Sequence, residues 1–451
     1  MQAFLERTGE SVTLSPRPFA AGGEGDLREV QGEPARVVKI YHANFRTPGR
    51  EMKLGLQCRL PSPDRRVVWP LGRVYDRPGG QFLGIEMKRV PGRRVTLDEI
   101  LTAASRRHQK VSLTFVDRLR VVAELADIVL AIFRSPNLVI GDFNPGNWLV
   151  EIAPDGRLPQ QIDVAAIDTD SYQFTARDPR TGRATTYTTD VGVAAYLAAE
   201  LQGQNLRGVT RTREEDLFAL ACIVWTLVKA AHPFTAKNIA RGRRPQSLGE
   251  WIKQGWFPHA PVSPLPAGWV PVDDGLPFHS LPAKIRELAN RTFRDGHATP
   301  TARATADEWR DALTQWADAI ERRALQGNWL TGTFTTTDTY RAIRPYLRSA
   351  SRNIDAARAW LLACRPHEKL RAWAARPDVR RKAAGTAIIL AGLTVVPFIR
   401  LRTSAPEVRH ADTATHTDRP RLRPAAPGEF DWKDAPHEWR TLGESRGEAP
   451  R

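Results

Sequence analysis

The stretch that most constrains the fold is residues 138–150, Leu-Val-Ile-Gly-Asp-Phe-Asn-Pro-Gly-Asn-Trp-Leu-Val, in which two apolar runs enclose a polar segment. This pattern predicts strand, loop and strand. The loop carries Asp142 and, five residues later, Asn147. A carboxylate on a tight loop can accept the proton of a hydroxyl, and a neighbouring amide oxygen can bind Mg²⁺. Ordinary turns also favour Asp and Asn. Whether this loop is a functional site or a plain turn therefore depends on the segments on either side of it.

Composition sets the class of protein. The chain has 451 residues, 41% of them hydrophobic, which indicates a folded protein with more than one unit. Its net charge of +16 would suit nucleic acid or an anionic membrane, but the sequence contains no zinc-finger or RNA-binding signature, and we expect no specific nucleic-acid partner. Cys58, Cys222 and Cys364 are far apart, which argues against a disulfide framework or a zinc site and fits a reducing compartment. The polar first ten residues argue against a signal peptide.

Two features upstream favour phosphate binding. Gly22, Gly23 and Gly25 form a cluster, and backbone N–H groups can approach a phosphate closely where no Cβ intervenes. The next predicted strand, residues 35–41, carries Lys39 among apolar neighbours. A cation inside an apolar strand is costly unless it faces an anion. An ordinary turn and an edge-strand lysine would give the same pattern.

Two helices are predicted before the loop. Residues 50–58 have helical spacing and offer Glu51 as an ion-pair partner for Lys39, although any charged helix face would carry such a residue. Residues 115–133 are strongly amphipathic with apolar residues at helical spacing, and this helix ends just before the loop.

Two strands are predicted between these helices, near residues 66–74 and 81–87. The second strand runs through Glu86 and Met87 into a linker that ends at Gly92. A linker of this kind could offer backbone groups to a ligand, but a plain strand end would look the same.

A carboxylate pair follows the loop. Residues 161–171 predict a largely apolar strand that ends at Asp168 and Asp170. An Asp after a buried strand often only forms a turn. Because this pair comes shortly after Asp142 and Asn147, we interpret both carboxylates as candidate Mg²⁺ ligands.

Between the carboxylate pair and residue 316, the sequence predicts mainly helices. Residues 181–189 are rich in Thr, and we expect this segment to be mobile. Residues 212–227 begin with a capping-box pattern and continue apolar on all sides, which predicts a central helix. Two further amphipathic helices are predicted at residues 281–293 and 305–316.

The composition changes after the last of these helices. Residues 326–382 predict a basic helical extension. Residues 383–399 carry no charge and lie between basic clusters, so they could just cross a thin bilayer at about 1.5 Å per residue, although a buried or interfacial helix would also fit. Residues 400–451 are rich in Pro, Arg, Glu and Ala and predict a disordered tail.

In their order, these features resemble a bacterial protein kinase-like domain of the eukaryotic Ser/Thr type. The variant sequences are similar to a subfamily linked to stress and tellurite-resistance loci: Gly-Gly-Glu-Gly at 22–25, Val-Val-Lys-Ile-Tyr at 37–41, Gly-Asp-Phe-Asn-Pro-Gly-Asn at 141–147, Ile-Asp-Thr-Asp-Ser at 167–171 and Tyr-Leu-Ala-Ala-Glu-Leu-Gln-Gly at 196–203. The resemblance implies an α+β, bilobal fold with a β-rich N-lobe at residues 10–88 and a helical C-lobe at residues 89–325.

The resemblance also implies roles for individual residues. Asp142 is expected to orient the hydroxyl of a protein substrate, and Lys39 to bind the phosphates of ATP with Glu51 as its helix partner. The other implied positions are these: the phosphate loop at Gly22, Gly23 and Gly25; adenine contacts from the backbone of Glu86 and Met87; Mg²⁺ ligands at Asn147 and Asp168, with Asp170 beside them; a catalytic-loop position at Asn144; an anchor of that loop at Asp216; and an ion pair between Glu200 and Arg303.

The chain also departs from the pattern of the family. Asn144 stands where protein kinases carry a lysine that contacts the γ-phosphate, and Ala20 stands where the first glycine is expected. Further replacements are Ile140 and Gly141 for the His-Arg pair, Thr169-Asp170 for Phe-Gly, and Ala199 for a proline. Lys39, Asp142, Asn147 and Asp168 all remain, so transfer from Mg-ATP is expected but could be slow.

Three functions therefore stay open: a protein Ser/Thr kinase, a pseudokinase that binds nucleotide or partners, and a small-molecule kinase. The resemblance implies ATP and Mg²⁺ as cofactors and a phosphatase or von Willebrand A-type protein as a partner. It places the kinase domain in the cytoplasm, with an inner-membrane anchor if residues 383–399 span the bilayer.

Overall fold

The computed structural model describes residues 1–177, 182–238, 247–262, 264–272 and 276–325. These residues form an α+β structure, as expected. Within them, no helix is long and apolar enough to cross a membrane. The extension, the candidate span and the tail predicted from residue 326 onward lie outside the described residues.

The first part of the chain is built on a seven-stranded antiparallel sheet with the order β2-β1-β6-β7-β5-β4-β3. Its strands are β1 Gln2–Leu5, β2 Glu10–Thr13, β3 Ala20–Ala21, β4 Gly25–Val30, β5 Glu33–Tyr41, β6 Pro70–Tyr75 and β7 Phe82–Lys88. Helix α1, Pro48–Gln57, follows β5. The sheet therefore starts before the predicted boundary at residue 10.

The two faces of β5 have different surroundings, because side chains alternate along a strand. Val37 and Tyr41 pack with Leu54 of α1 on one face, and the same alternation places Lys39 on that face. Val38 packs on the opposite face with apolar residues of the N-terminal hairpin. The alternation thus directs the lysine toward α1 and toward the space that also holds Asp142, Asn147 and Asp168, which we call the cleft.

The second part of the chain is mainly helical. Its helices are α2 Asp98–Leu101, α3 Ala103–His108, α4 Phe115–Phe133, α5 Arg213–Lys229, α6 Leu248–Lys253, α7 Ala283–Asn290, α8 Gly296–Ala298 and α9 Ala306–Leu325. Its short strands are β8 Arg94–Thr96, β9 Leu138–Val139, β10 Trp148–Glu151, β11 Val164–Ala166, β12 Gln173–Arg177, β13 Ala184–Tyr187, β14 Ala236–Asn238 and β15 Trp269–Pro271.

Helix α5 lies in the centre of this part, as its apolar pattern predicted, and most of its residues are buried. The Glu215 carboxylate accepts the N–H of Thr212 at 3.2 Å, which forms the expected N-terminal cap. Helices α4 and α9 pack along each other beside it. The apolar core formed by these helices supports the loop between β9 and β10.

Two segments differ from the sequence-based expectation. Residues 184–187 were expected to be mobile but form strand β13, which pairs with β12, and β-branched Thr favours such a strand. The strand predicted near residues 66–74 begins only at Pro70, because the preceding residues pair with the end of β11 instead: Ala166 accepts the N–H of Val68 at 2.9 Å.

Candidate active site

The loop between β9 and β10 is fixed by a carboxylate of helix α5. Asp216 accepts the backbone N–H of Ile140 at 2.7 Å and that of Gly141 at 2.8 Å, which confirms the predicted anchor. Gly141 has φ of +72°, and a Cβ there would lie 2.2 Å from Cγ2 of Thr189, so the turn requires glycine. Burial raises the pKa of Asp216 to about 7, against the two backbone hydrogen bonds.

Within this loop, two amides hold Asp142. The Asn144 side chain donates to Oδ1 at 3.0 Å, and Asn147 donates to the Asp142 carbonyl oxygen at 2.9 Å and to Oδ2 at 3.3 Å. Asn144 Oδ1 in turn accepts the N–H of Gly146 at 3.0 Å. Burial raises the pKa of the Asp142 carboxyl, while the amide hydrogen bonds act in the opposite direction. Asn144 therefore orients Asp142.

Asn147 and Asp168 lie at the same end of two paired strands. Trp148 of β10 pairs with Ala166 of β11, and the N–H of Ile167 donates to the carbonyl oxygen of Asn147 at 2.9 Å. Asp168 has φ of 54°, in the left-handed region, and its side chain is 54% exposed. This backbone conformation is uncommon outside glycine and stores strain at the site.

Lys39 reaches this end of the strands from the sheet. Its Nζ lies 3.1 Å from Oδ1 of Asp168, and 2.9 and 3.1 Å from the two carboxylate oxygens of Asp170. The side chain is only 8% exposed. Burial disfavours the ammonium form, but the charges of Asp170 and Asp168 outweigh this and raise the pKa of Lys39 above its ordinary value.

The placement of Asp170 weighs against its predicted role as an Mg²⁺ ligand. Its side chain is 4% exposed, and besides Lys39 it accepts the hydroxyl of Tyr41 at 2.6 Å. Burial opposes its ionisation, yet Lys39 and the Tyr41 hydroxyl hold the pKa of Asp170 below its usual value. A carboxylate already satisfied by an ammonium and a hydroxyl in a buried position is poorly placed to bind a metal ion.

The expected pair between Glu51 and Lys39 does not form. Glu51 accepts the hydroxyl of Tyr75 at 2.8 Å and lies 3.7 Å from the guanidinium of Arg73, toward the neighbouring strand β6. The residue that α1 directs at the cleft is Lys53, whose Nζ donates to the carbonyl oxygens of Ser171 (3.1 Å) and Thr188 (3.3 Å). Burial lowers the pKa of Lys53 to about 8.

The glycine cluster forms the hairpin tip between β3 and β4. The N–H of Gly22 donates to the carbonyl oxygen of Gly25 at 2.9 Å, and Gly23 is exposed. A Cβ at Gly25 would lie 2.3 Å from the carbonyl oxygen of Ile40, so this glycine allows close strand packing and faces the sheet rather than a ligand.

Glu24 at the same tip is tied to α1. The Arg50 guanidinium donates to both carboxylate oxygens of Glu24 at 2.9 Å and stacks over the Tyr41 ring at 4.9 Å. The hairpin therefore carries a negative charge where the resemblance expects a phosphate loop.

Glu86 and Met87 lie inside β7, with strands on both sides. Glu86 is fully buried on the face away from Lys39, where Arg7 donates to it at 2.7 Å and Arg36 at 2.9 Å. Met87 pairs with Val37 and shares the face of Lys39. The linker begins only after Lys88, so Glu86 and Met87, for which adenine contacts were expected, belong to the strand and not to the linker.

Farther from the cleft, Glu200 and Arg303 form the predicted ion pair. The Arg303 guanidinium donates to the two oxygens of Glu200 at 2.7 and 2.8 Å and also donates to the carbonyl oxygen of Glu214 at 2.9 Å. Arg303 is buried, with 1% of its side chain exposed. This fork ties the end of the segment after Asp168 to the start of α5.

Sequence reasoning missed several residues of the site, namely Tyr41, Arg50, Lys53 and Gln57. Tyr41 was within reach, because it stands two residues after Lys39 on the same strand and must share its face. Gln57 donates to the carbonyl oxygen of Thr169 at 2.7 Å. The sequence could not predict this contact, because helical spacing alone does not say which element a face of the helix packs against.

No family model matches the chain, and no curated protein matches its sequence. Among solved structures, the ROP18 kinase domain in complex with AMP-PNP and sucrose is similar to 73% of this chain and covers 87% of its own length. The two chains are 15% identical, with a TM-score of 0.44. A likeness of this degree carries no argument about function.

Proposed function

We propose that the chain is a phosphotransferase that moves the γ-phosphate of ATP to a Ser or Thr hydroxyl of a protein. The observation that carries this proposal is the meeting of Lys39 with Asp168 at 3.1 Å, at the strand ends that also hold Asn147 beside Asp142. A phosphate-binding cation, a metal-binding pair and a proton acceptor thus share one cleft, and phosphoryl transfer requires positioning and charge neutralisation more than covalent chemistry.

Each residue has a defined task in this proposal. Lys39 binds the phosphate oxygens of the nucleotide as a fixed positive charge. Asp142 accepts a hydrogen bond from the attacking hydroxyl and takes its proton as the phosphorus–oxygen bond forms. Asn144 keeps the Asp142 carboxylate in place through its amide.

The residues fit a magnesium ion. Mg²⁺ prefers oxygen ligands, and the half-exposed Asp168 carboxylate and the amide oxygen of Asn147 supply them. Within the described part of the chain, no donor bonds that amide oxygen, because the Asn147 hydrogen bonds all run from its nitrogen. When bound, Mg²⁺ would neutralise charge on the phosphates.

A protein acceptor is favoured over a small molecule by the framework around the site. The fork between Arg303 and Glu200 and the anchor at Asp216 are features that the resemblance ties to the protein-kinase architecture. They order the segment between Asp168 and α5, where an extended acceptor chain would bind.

One observation favours the second candidate function, a pseudokinase. Glu24 places a carboxylate at the tip of the glycine hairpin, close enough to act electrostatically on Lys39. A negative charge there would oppose the binding of a triphosphate. A pseudokinase would bind partners or weakly bound nucleotide without efficient transfer.

The test uses the full chain with radiolabelled ATP and a generic protein acceptor. Asp142→Asn should lower transfer by about 10²–10⁴-fold, the usual contribution of such a group, while ATP affinity stays unchanged because Asp142 contacts the acceptor. Equal transfer by the wild type and this variant would favour the pseudokinase.

Metal dependence is tested separately by the thermal shift that saturating Mg-ATP produces. Asp168→Ala should abolish the Mg²⁺-dependent part of the shift. Asp155→Ala is the matched control, since this exposed carboxylate lies outside the cleft and pairs with the neighbouring Arg157. A wild-type protein without any shift would contradict nucleotide binding.

A further inference from the structure

The two carboxylates near Lys39 lie in opposite environments, although they are only two residues apart. The Asp168 side chain is 54% exposed, whereas that of Asp170 is 4% exposed. An exposed carboxylate can exchange partners when a metal ion arrives, but a buried one must keep the partners that compensate its charge. The environments therefore suit Asp168 to binding a metal ion and Asp170 to keeping a fixed cationic partner.

Asp170 makes the closer contact with the lysine. Its two oxygens lie 3.1 and 2.9 Å from Nζ of Lys39, and the Tyr41 hydroxyl donates to Oδ2 at 2.6 Å. Lys39 and Tyr41 lie on the same face of β5, so one strand supplies both donors. This arrangement fixes the ammonium group relative to the strand.

Helix α1 contributes no carboxylate to this contact. Its Glu51 is bonded to Tyr75, and the helix instead holds the backbone around Asp170. Gln57 donates to the carbonyl oxygen of Thr169 at 2.7 Å, and Lys53 donates to that of Ser171 at 3.1 Å. The helix thus binds the backbone on both sides of Asp170, whereas the carboxylates that pair with Lys39 come from the turn itself.

We propose that Asp170 is the positioning residue of Lys39, in the place that the resemblance gives to Glu51. The inference rests on the proposed phosphotransfer and adds the residue that fixes the position of the phosphate-binding lysine. Because Asp168 and Asp170 share the turn at residues 168–171, placement of the metal ligand and of the lysine depends on one short segment. Movement of α1 would act on the lysine through this turn and through Tyr41, over which Arg50 stacks.

The test compares Asp170→Asn with Glu51→Gln, since each change removes one carboxylate charge with little change in shape. The first readout is the rate at which an acylating reagent modifies Lys39 at pH 9, measured by mass spectrometry against the exposed Lys88. Only the neutral amine reacts, so loss of its counter-ion should speed modification. We expect an increase of about tenfold or more in Asp170→Asn, which corresponds to one pKa unit, and no change in Glu51→Gln.

Tyr41→Phe provides a second variant that keeps the charge of Asp170 and removes only one hydrogen bond. It should leave the modification rate of Lys39 unchanged or lower it slightly, because the counter-ion remains and has lost a competing donor. Lys229, which is buried in α5, reports on unfolding and should stay protected in all three variants. If Asp170→Asn does not fold, Glu51→Gln still decides the question, because faster modification of Lys39 in that variant would assign the lysine to Glu51.

The second readout is the Michaelis constant for Mg-ATP. Asp170→Asn should raise it about tenfold or more and Glu51→Gln less than twofold, with the larger effect on KM because Lys39 contacts the nucleotide in the ground state. Unchanged labelling of Lys39 in Asp170→Asn, or an equal increase in Glu51→Gln, would overturn the inference. The labelling needs no turnover, so a wild type without transfer would remove the proposed function and leave the pairing measurable.

Discussion

On the helical side of the cleft a buried carboxylate holds the backbone of the loop that carries Asp142, whereas on the sheet side ion pairs between side chains hold Lys39. Asp216 acts on two N–H groups that cannot rotate away, and the loop is further packed by Phe143 on Trp148, with ring centroids 5.0 Å apart. Lys39 depends on residues more than a hundred positions away. The difference teaches that the loop of Asp142 is placed through its backbone, whereas Lys39 is placed through charged side chains that single substitutions can remove.

The largest effect is expected from Asp216→Ala, which removes the backbone anchor. Two buried N–H groups lose their acceptor, at a cost of about 1–3 kcal/mol each in the free energy of unfolding, and transfer should fall as the loop loses its geometry. Urea unfolding measures the first and radiolabelled ATP the second. Asp216→Asn keeps one oxygen acceptor, so its free energy of unfolding should lie between those of the wild type and Asp216→Ala. If Asp216→Ala were as stable as the wild type, Asp216 would not be an anchor of the loop.

A smaller loss is expected from Glu200→Ala, which leaves the guanidinium of Arg303 buried without its partner. We expect the free energy of unfolding to fall by about 2 kcal/mol, below the usual cost for a buried pair because Glu200 is partly exposed. Glu287→Ala is the control: its exposed pair with Lys284, at 2.9 Å, should contribute less than about 1 kcal/mol. Equal losses would show that burial does not distinguish the two pairs.

On the sheet side, Lys53 should make stability depend on pH. Burial lowers its pKa in the folded protein to about 8, against an ordinary 10.5. Between these values the unfolded chain binds more protons, so this group makes stability rise with pH across that window and is unfavourable below it. In urea unfolding, the free energy of unfolding of the wild type relative to that of Lys53→Met should therefore increase from about pH 8 upward. A pH-independent difference would contradict the assignment.

The smallest effect is expected from Glu24→Gln at the glycine hairpin. The pair with Arg50 is partly exposed, so stability should change by less than about 1 kcal/mol. Affinity for Mg-ATP should rise a few-fold, because a negative charge is removed from the hairpin. Glu29→Gln, which breaks the exposed pair with Arg89, is the matched control for charge alone. Equal affinities in both variants would mean that Glu24 does not act on the nucleotide.

The contrast between the backbone anchor of the Asp142 loop and the side-chain ion pairs of Lys39 also explains which features the sequence could predict. Asp142, Asn147 and Asp216 were found because the loop geometry follows from local spacing and from a carboxylate at the start of a strongly patterned helix. The partner of Arg303 was found in the same way. These features depend on backbone positions that short sequence patterns specify.

The partner of Lys39 could not be predicted in this way. Choosing between Glu51 and Asp170 depends on how α1 is rotated and on which side chain occupies the space behind β5, and neither follows from spacing within one element. Sequence reasoning assigned Asp168 and Asp170 the same predicted task, because the two residues differ only in the burial that the folded turn imposes.

The buried Glu86 has a consequence for where the chain can be shortened. Its carboxylate is held from one side by Arg7, in the turn that joins β1 to β2, and the apolar side chains of Ala3 and Leu5 cover the neighbouring face of the sheet. A truncated protein that starts at residue 10 would lose β1, the strand that joins β2 to β6, expose the apolar side chains that pack with Ala3 and Leu5, and leave Glu86 with Arg36 as its remaining guanidinium. A tag fused at the N-terminus should therefore be followed by the whole hairpin, and a protease that cuts within it would loosen the strand that leads into the linker.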